Sequence, residues 1–371
     1  MTTGFSPPPY PYERLSSIRL ISDTHDGGTI DCSIGTPWDP PPQLVIDALG
    51  SSGLERGYPT SAGSGALLGA ARRWMNRRFG VDAPETAIAA CVGTKEFVAS
   101  TAHYLALRTP DRDVVLYPSI SYPTYAMGAA LAGLTAVPVS VENGRLRLED
   151  LDPSIISRAL LVWSNSPSNP TGDLDDLEAV AAWGRAHGVV VASDECYAEF
   201  AWDSGPASIL QYGLEGVVAV HSLSKRSNLA GLRAGFYAGD PELVAYLRSV
   251  RQHAGMMVPG PVQHAAAAAL DDDAHVELQR ERYRLRLDLL ADALRSGGYD
   301  ATLPRGTFYL WLPVPGRLAD GWALAAEIAE RTGMLVSPGD LYGPEGADFV
   351  RIAVVQPESS LELVAKRLSA G

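Results

Sequence analysis

The sequence predicts an α/β fold, with a large domain on a mostly parallel seven-stranded sheet and a smaller α+β domain after it. Three observations carry that expectation. Seven short apolar runs recur between helical stretches across residues 89–239. Several of these runs are apolar throughout rather than alternating, which suits strands covered on both faces. Strands separated by helices need crossover connections, and crossovers make neighbours parallel.

The elements follow in order. The opening forty or so residues are rich in Pro, Gly and turn formers, and read as an arm with one short strand, "TIDCSIGTP" (29–37). Residues 1–44 are therefore assigned to the arm and to part of the smaller domain. The next stretch, "GSGALLGAARRWMNRRFG" (63–80), sets Leu67, Leu68, Ala71, Trp74, Met75 and Phe79 at helical spacing. The strand candidates are "AACVG" (89–93), "DVVLYP" (113–118), "TAVPVSVE" (135–142), "ALLVWSN" (159–165), "GVVVASDE" (188–195), "GVVAVHS" (216–222) and "AGFYAG" (234–239). Together they place the large domain at 45–260. Residues 271–298 read as one long amphipathic helix closed by a Gly pair. It leads to "GTFYLWLPV" (306–314), a further helix, "MLVSPG" (334–339) and "DFVRIAV" (348–354). Residues 261–371 are thus the connecting helix and the smaller domain, against which the N-terminal arm is expected to pack.

Composition narrows the class. A chain of 371 residues, 46% hydrophobic and 20% charged, is too long for one small core and has the make-up of a globular protein. Its 30 basic against 43 acidic side chains give a formal charge of −13, which argues against nucleic acid or an anionic membrane as partner. Cys32, Cys91 and Cys196 lack metal-ligand spacing and are odd in number, so no metal and a reduced interior are expected. The opening "MTTGFSPPPYPYERL" does not read as a leader, and no apolar run reaches the roughly 18 residues of a membrane span. A cytoplasmic location is the expectation.

In an open parallel sheet, ligands sit beyond the carboxyl ends of the strands. The turns there are "GTKEF" after "CV", "SNSPSNPTG" after "ALLVW", "DECY" after "VVVAS" and "SLSK" after "VVAVH". They supply a glycine and hydroxyl opening a helix whose free N–H groups suit an anion, an amide, a carboxylate with a phenol, and a lysine. That set suits an aromatic aldehyde with a phosphate at one end and a basic ring nitrogen at the other. Pyridoxal 5'-phosphate needs a lysine for its aldehyde and an acid facing its pyridine nitrogen. A lysine in such a turn reacts only when neutral, and burial beside the cation of Arg233 favours that form.

The stretches "NSPSNPTG", "SDECY", "SLSKRSNLAGLRAG" and "VRIA" resemble those of the class I/II aminotransferases of pyridoxal-phosphate fold type I, in the family's order and over nearly the whole chain. The resemblance implies that Lys225 bonds the cofactor and moves the substrate α-proton. It implies Asp194 on the pyridine nitrogen, Asn169 and Tyr197 on the phenolic oxygen, and Tyr122 stacked on the ring, with Tyr125 a nearby competitor. Gly93, Thr94, Ser222 and Arg233 become phosphate anchors, with Lys95 beside them. Tyr58 matches a tyrosine that reaches the phosphate of a neighbouring subunit, which implies a homodimer with shared sites. Arg351 would grip the substrate α-carboxylate, with Gly35 and Asn169 adding contacts. Glu195 is assigned no role and is expected to be exposed or to sit behind the site.

Within the family, "GYPTSAG", "GTKE", "SYPTY", "HSLSK" and "HAGMMVP" are most similar to actinobacterial N-succinyldiaminopimelate aminotransferases. This implies an acylated diamino dicarboxylic acid as donor and 2-oxoglutarate as acceptor in lysine biosynthesis. Arg226 departs from the family's small or hydroxyl residue after the lysine, so an extra cation beside the site is expected to alter the side-chain preference. The segment 251–270 reads either as a packed interdomain or dimer segment or as a segment near the substrate entrance. Two other readings stand beside the first. One is an aminotransferase of specialised metabolism acting on another basic or modified amino acid. The other is a lyase, cyclase or oxidase using the same cofactor, or a binding domain that has lost turnover, against which the intact Lys225, Asp194 and Arg351 argue.

Overall fold

The computed structural model describes residues 4–370. They form two compact units: 36–284 with 304–308, and the chain up to 35 with 285–303 and 309 onward.

The larger unit carries a seven-stranded sheet of β1 (Ile88–Cys91), β2 (Val114–Pro118), β3 (Thr135–Val139), β4 (Ala159–Asn165), β5 (Val190–Asp194), β6 (Val217–Ser222) and β7 (Gly235–Gly239). Each overlaps one of the seven apolar runs. The spatial order is β1-β7-β6-β5-β4-β2-β3. All neighbours are parallel except β7, which runs antiparallel to both β1 and β6. That reversal puts the start of β7 at the edge where the other strands end, with Gly235 opposite both Ser222 and Cys91.

Both faces of the sheet are covered. Val191, Val217 and Ala219 pack with Trp74 and Val262 on one side. Ala192, Val218 and Val220 pack with Phe97 and Leu247 on the other. Two-sided burial is why these runs show no alternation.

The helices of this unit include α1 (Gly65–Phe79), α2 (Thr94–Arg108), α3 (Thr124–Leu131), α4 (Leu177–His187), α5 (Leu223–Arg226), α6 (Pro241–His253) and α7 (Gly260–Asp271). In α1 the ends are set locally: Ser64 Oγ accepts from the Leu67 amide at 3.3 Å, and Gly80 closes the helix at φ 70°. A serine cap of this kind is worth about 1 kcal/mol. The long helix α8 (Ala274–Ser296) falls within the predicted stretch.

The smaller unit holds an antiparallel sheet of β8 (Tyr309–Pro313), β9 (Ser337–Pro338) and β10 (Phe349–Ala353), in the order β8-β10-β9. It also holds α9 (Gly321–Thr332) and α10 (Glu358–Ala370). Ile30–Asp31 pairs in parallel with Met334–Leu335, which ties the N-terminal arm to the C-terminal part of the chain. Among the described residues no helix is long and apolar enough to cross a membrane, and no group of three His, Cys, Asp or Glu could hold a metal ion.

Candidate active site

The strand ends of the larger unit gather the predicted residues at one edge. Gly93, at φ 74°, turns the chain from β1 into α2, so the free N–H groups of that helix open there. A Cβ on Gly93 would lie 2.2 Å from Arg233 Nη2, so only glycine lets the guanidinium lie against this turn. Arg233 itself sits at φ 53°, and its Nη1 donates to the Ala230 carbonyl at 2.8 Å. Ser222 caps α5, its Oγ accepting from the Ser224 amide at 3.1 Å. Thr94 Oγ1 takes the Cys196 thiol at 3.2 Å. Lys95 lies exposed on the first turn of α2.

The opposite end is built on β5. Asp194 is buried, and burial raises its carboxyl above the usual range. Its two oxygens accept from the Tyr125 hydroxyl at 2.9 Å and the Cys196 amide at 3.2 Å. The Asn165 amide fixes the same segment, donating to the Asp194 carbonyl at 2.8 Å, while Asn165 Oδ1 accepts from the Asn169 amide at 2.8 Å. Tyr197 is buried, its ring 5.6 Å from that of Phe308. Tyr122 is half-buried and meets Tyr125 edge-on at 6.0 Å.

Lys225 stands half-buried on α5, the short helix directly after β6. The cation expected beside the site at Arg226 is turned inward instead: its guanidinium meets Glu199, the Ala269 carbonyl and Ser227 Oγ. The last turn of α6 and the stretch after it are pinned as well. Arg251 makes two bonds to Glu96 on α2, at 2.8 and 2.6 Å, and Ser61 Oγ donates to the Met256 carbonyl at 2.7 Å.

In the smaller unit Arg351 is 1% exposed, on β10. Its Nη2 donates to the Ser33 carbonyl at 2.6 Å, and its guanidinium lies 4.2 Å from the Tyr309 ring centre and 4.8 Å from that of Tyr342. Gly35 lies against the same tyrosine, since a Cβ there would be 2.1 Å from Tyr309 Oη. Tyr58, by contrast, is 99% exposed.

These residues fit pyridoxal phosphate. A helix N-terminus with an arginine fork laid on a glycine suits a phosphate dianion. A buried carboxylate pushed towards its proton suits a pyridinium cation.

The model of the aminotransferase class I and II family matches residues 29–368. The chain belongs to that family. It is therefore a pyridoxal-phosphate-dependent aminotransferase of fold type I, and aminotransferases of this kind act on amino acids and 2-oxo acids. It is 42% identical to a "probable aminotransferase" of Mycobacterium tuberculosis, over 98% of this chain and 85% of that one. It is 39% identical to the 4-dedimethylamino-4-oxo-anhydrotetracycline transaminase of Streptomyces rimosus, over 98% of this chain and 99% of that one. Among solved structures it resembles a probable N-succinyldiaminopimelate aminotransferase of Thermus thermophilus, with a TM-score of 0.85 and 31% identity over 97% and 99% of the two chains.

Three features of this aminotransferase escaped the reading of its sequence. Tyr125, weighed only as a ring that might stack, is fully buried against Trp163 and gives its hydroxyl to Asp194. Its signal was its place in "SYPTY", three residues after Tyr122 and on the first turn of α3. Glu195 is 2% exposed, points to the opposite face of β5 from Asp194, and accepts from the Ile209 amide at 2.7 Å and Ser193 Oγ at 2.9 Å. Arg226 is the third, and no local pattern announces its buried partners.

Proposed function

We propose that this aminotransferase takes the amino group of N-succinyl-LL-2,6-diaminopimelate and passes it to 2-oxoglutarate, as a cytoplasmic homodimer with shared sites. The observation that supports the catalytic assignment is the placement of Lys225 on the same sheet edge as Asp194 and the Gly93–Arg233 contact. The donor is supported by the likeness to the Thermus thermophilus protein and by the stretches "GYPTSAG" and "HAGMMVP".

When bound, the cofactor supplies an aldehyde carbon and a ring that draws electrons from the substrate α-carbon. Gly93, Thr94, Ser222 and Arg233 would hold its phosphate, joined by Tyr58 of a second copy, and Lys95 would add a screened positive charge. Asp194, kept in place by Tyr125, holds a proton on the ring nitrogen. Asn169 and Tyr197 would hold the cofactor's phenolic oxygen, and Tyr122 would pack on its ring. Arg351 takes the substrate α-carboxylate, with backbone help at Gly35. Lys225 Nζ removes the α-proton as general base and returns a proton as general acid. Two half-reactions through one site give ping-pong kinetics.

Lys225→Ala is expected to abolish the visible absorption band of the purified holoenzyme. Donor added without a 2-oxo acid should give a stoichiometric colour change, and catalytic release of ammonia or peroxide instead would reject transfer. The donor is tested by kcat/KM: N-succinyl-diaminopimelate should exceed ornithine and simple amino acids by at least about tenfold, or roughly 1.4 kcal/mol in transition-state binding. A second reading has its own support in the 39% identity to the tetracycline-pathway transaminase. It predicts amino transfer to the ketone of a polycyclic aromatic, with the acylated donor not preferred.

A further inference from the structure

Arg226 directly follows Lys225, and its side chain is 3% exposed. A guanidinium is kept that deep only where acceptors meet it. Nε lies 3.4 Å from Glu199 Oε1, Nη1 donates to the Ala269 carbonyl at 2.8 Å, and the cation lies 5.6 Å from the Trp74 ring centre. Glu199, also 3% exposed, accepts from Trp74 Nε1 at 2.7 Å and Arg78 Nε at 2.9 Å. The other charged groups facing the pair are Asp273, 3.9 Å from Arg226 Nη2, and Glu277, 2.9 Å from Arg78 Nη2. His221 and His275 also face it, and burial first and the Arg226 charge second oppose protonation of both.

The location of the pair gives it a use. α5 is four residues long, and a single turn does not hold itself. Its backbone ties gather at its first residue: the Ser222 cap, the Ser227 and Leu229 amides on the Leu223 carbonyl at 3.2 and 3.3 Å, and the Leu223 amide on the Ala234 carbonyl at 3.3 Å. Glu199 sits on the turn Ala198–Phe200, which follows Tyr197. One buried ion pair therefore joins the base of the turn bearing Lys225 to the base of the turn bearing Tyr197. We propose that Arg226 is a positioning residue: through Glu199 it fixes Lys225 and Tyr197 relative to each other, and its buried charge holds the Lys225 nitrogen towards its neutral form. The inference rests on the reading of Lys225 as the cofactor-bonded lysine.

Charges buried beneath the site are little screened by salt. Removing one member of the pair exposes the Lys225 nitrogen to the charge of the other, and the two removals act with opposite sign. Loosened packing has no such sign rule. The test is a pH titration of the visible absorption band in full-length holoenzyme. Arg226→Met should raise the midpoint by about half a unit or more, and Glu199→Gln should lower it by a similar amount. Arg226→Lys, which keeps the charge, should bring the midpoint back towards wild type. Shifts of the same sign, or none, overturn the proposal. Should Arg226→Met fail to fold, Glu199→Gln decides alone, because its amide oxygen still accepts from Trp74; an unchanged midpoint there overturns the proposal. A wild-type band surviving in Lys225→Ala would instead overturn the reading of Lys225.

Discussion

Asp194 and Glu195 are adjacent, yet β5 sends them to opposite faces, and burial acts on each according to its partners. Asp194 is raised by burial, partly offset by the Cys196 and Tyr125 bonds, and is the group proposed to face the ring nitrogen. Glu195 is pushed up to about 7 by burial, and His221, whose Nε2 lies 3.5 Å from Glu195 Oε2, is pushed down to about 3 for the same reason. Below pH 7 the two are a neutral pair rather than an ion pair, since burial outweighs what their mutual attraction would return at that separation. The sign for stability follows. A carboxyl that holds its proton more tightly folded than unfolded loses stabilisation as pH rises from its ordinary 4.5 to about 7. The shift corresponds to as much as about 3 kcal/mol by pH 8. Glu195→Gln mimics the protonated acid and keeps an acceptor for Ile209 and Ser193. Urea melts should find it gaining on wild type between pH 5 and pH 8; a gap independent of pH would show that Glu195 is ionised throughout.

At the scale of elements, the catalytic edge depends on one turn. Gly93 combines a positive φ with contact to the Arg233 guanidinium, so Gly93→Ala meets backbone strain and displaces the proposed phosphate anchor together. Gly133 has a similar φ of 71° but open space around its Cβ position. Cofactor affinity, read by fluorescence titration, should fall at least about tenfold in Gly93→Ala and stay unchanged in Gly133→Ala, with a loss of about 1 kcal/mol of stability in both. Equal affinities would remove the Gly93 turn from the site. The same scale separates what the sequence discloses from what it hides. Apolar runs bounded by helices disclosed all seven strands of the sheet, and "GTKE", "DECY" and "SLSK" disclosed the turns that gather at the edge of the proposed site, because both signals are local. The antiparallel β7 stayed hidden, although it brings Arg233 to that edge, since strand order follows from crossovers across the whole domain. So did the hairpin of Val141–Glu142 with Arg145–Leu146, which the run 135–142 had absorbed. Arg226 was legible as an oddity but not as a buried anchor, because Trp74, Glu199 and Ala269 are brought to it only by the fold.

For the whole molecule, the proposed homodimer predicts that Tyr58 of one copy completes the site of the other. Tyr58 is 99% exposed, and Trp38 at 65% and Leu54 at 45% are exposed apolar side chains of the same unit. Rings and aliphatic groups left in water favour burial against another surface, and a second copy is the partner the family resemblance implies. Subunit mixing separates a Tyr58 that serves its own subunit from one that serves the neighbour's site. When chains carrying Tyr58→Ala are reassociated with chains carrying Lys225→Ala, a tyrosine acting across the interface leaves each mixed dimer one doubly damaged site and one intact site. Random reassociation then makes about a quarter of all sites wild type. Activity should rise above the mean of the two parent proteins towards that fraction. A tyrosine serving its own subunit leaves every site with one defect, so activity fixed at the parental mean would assign Tyr58 to the chain that carries it.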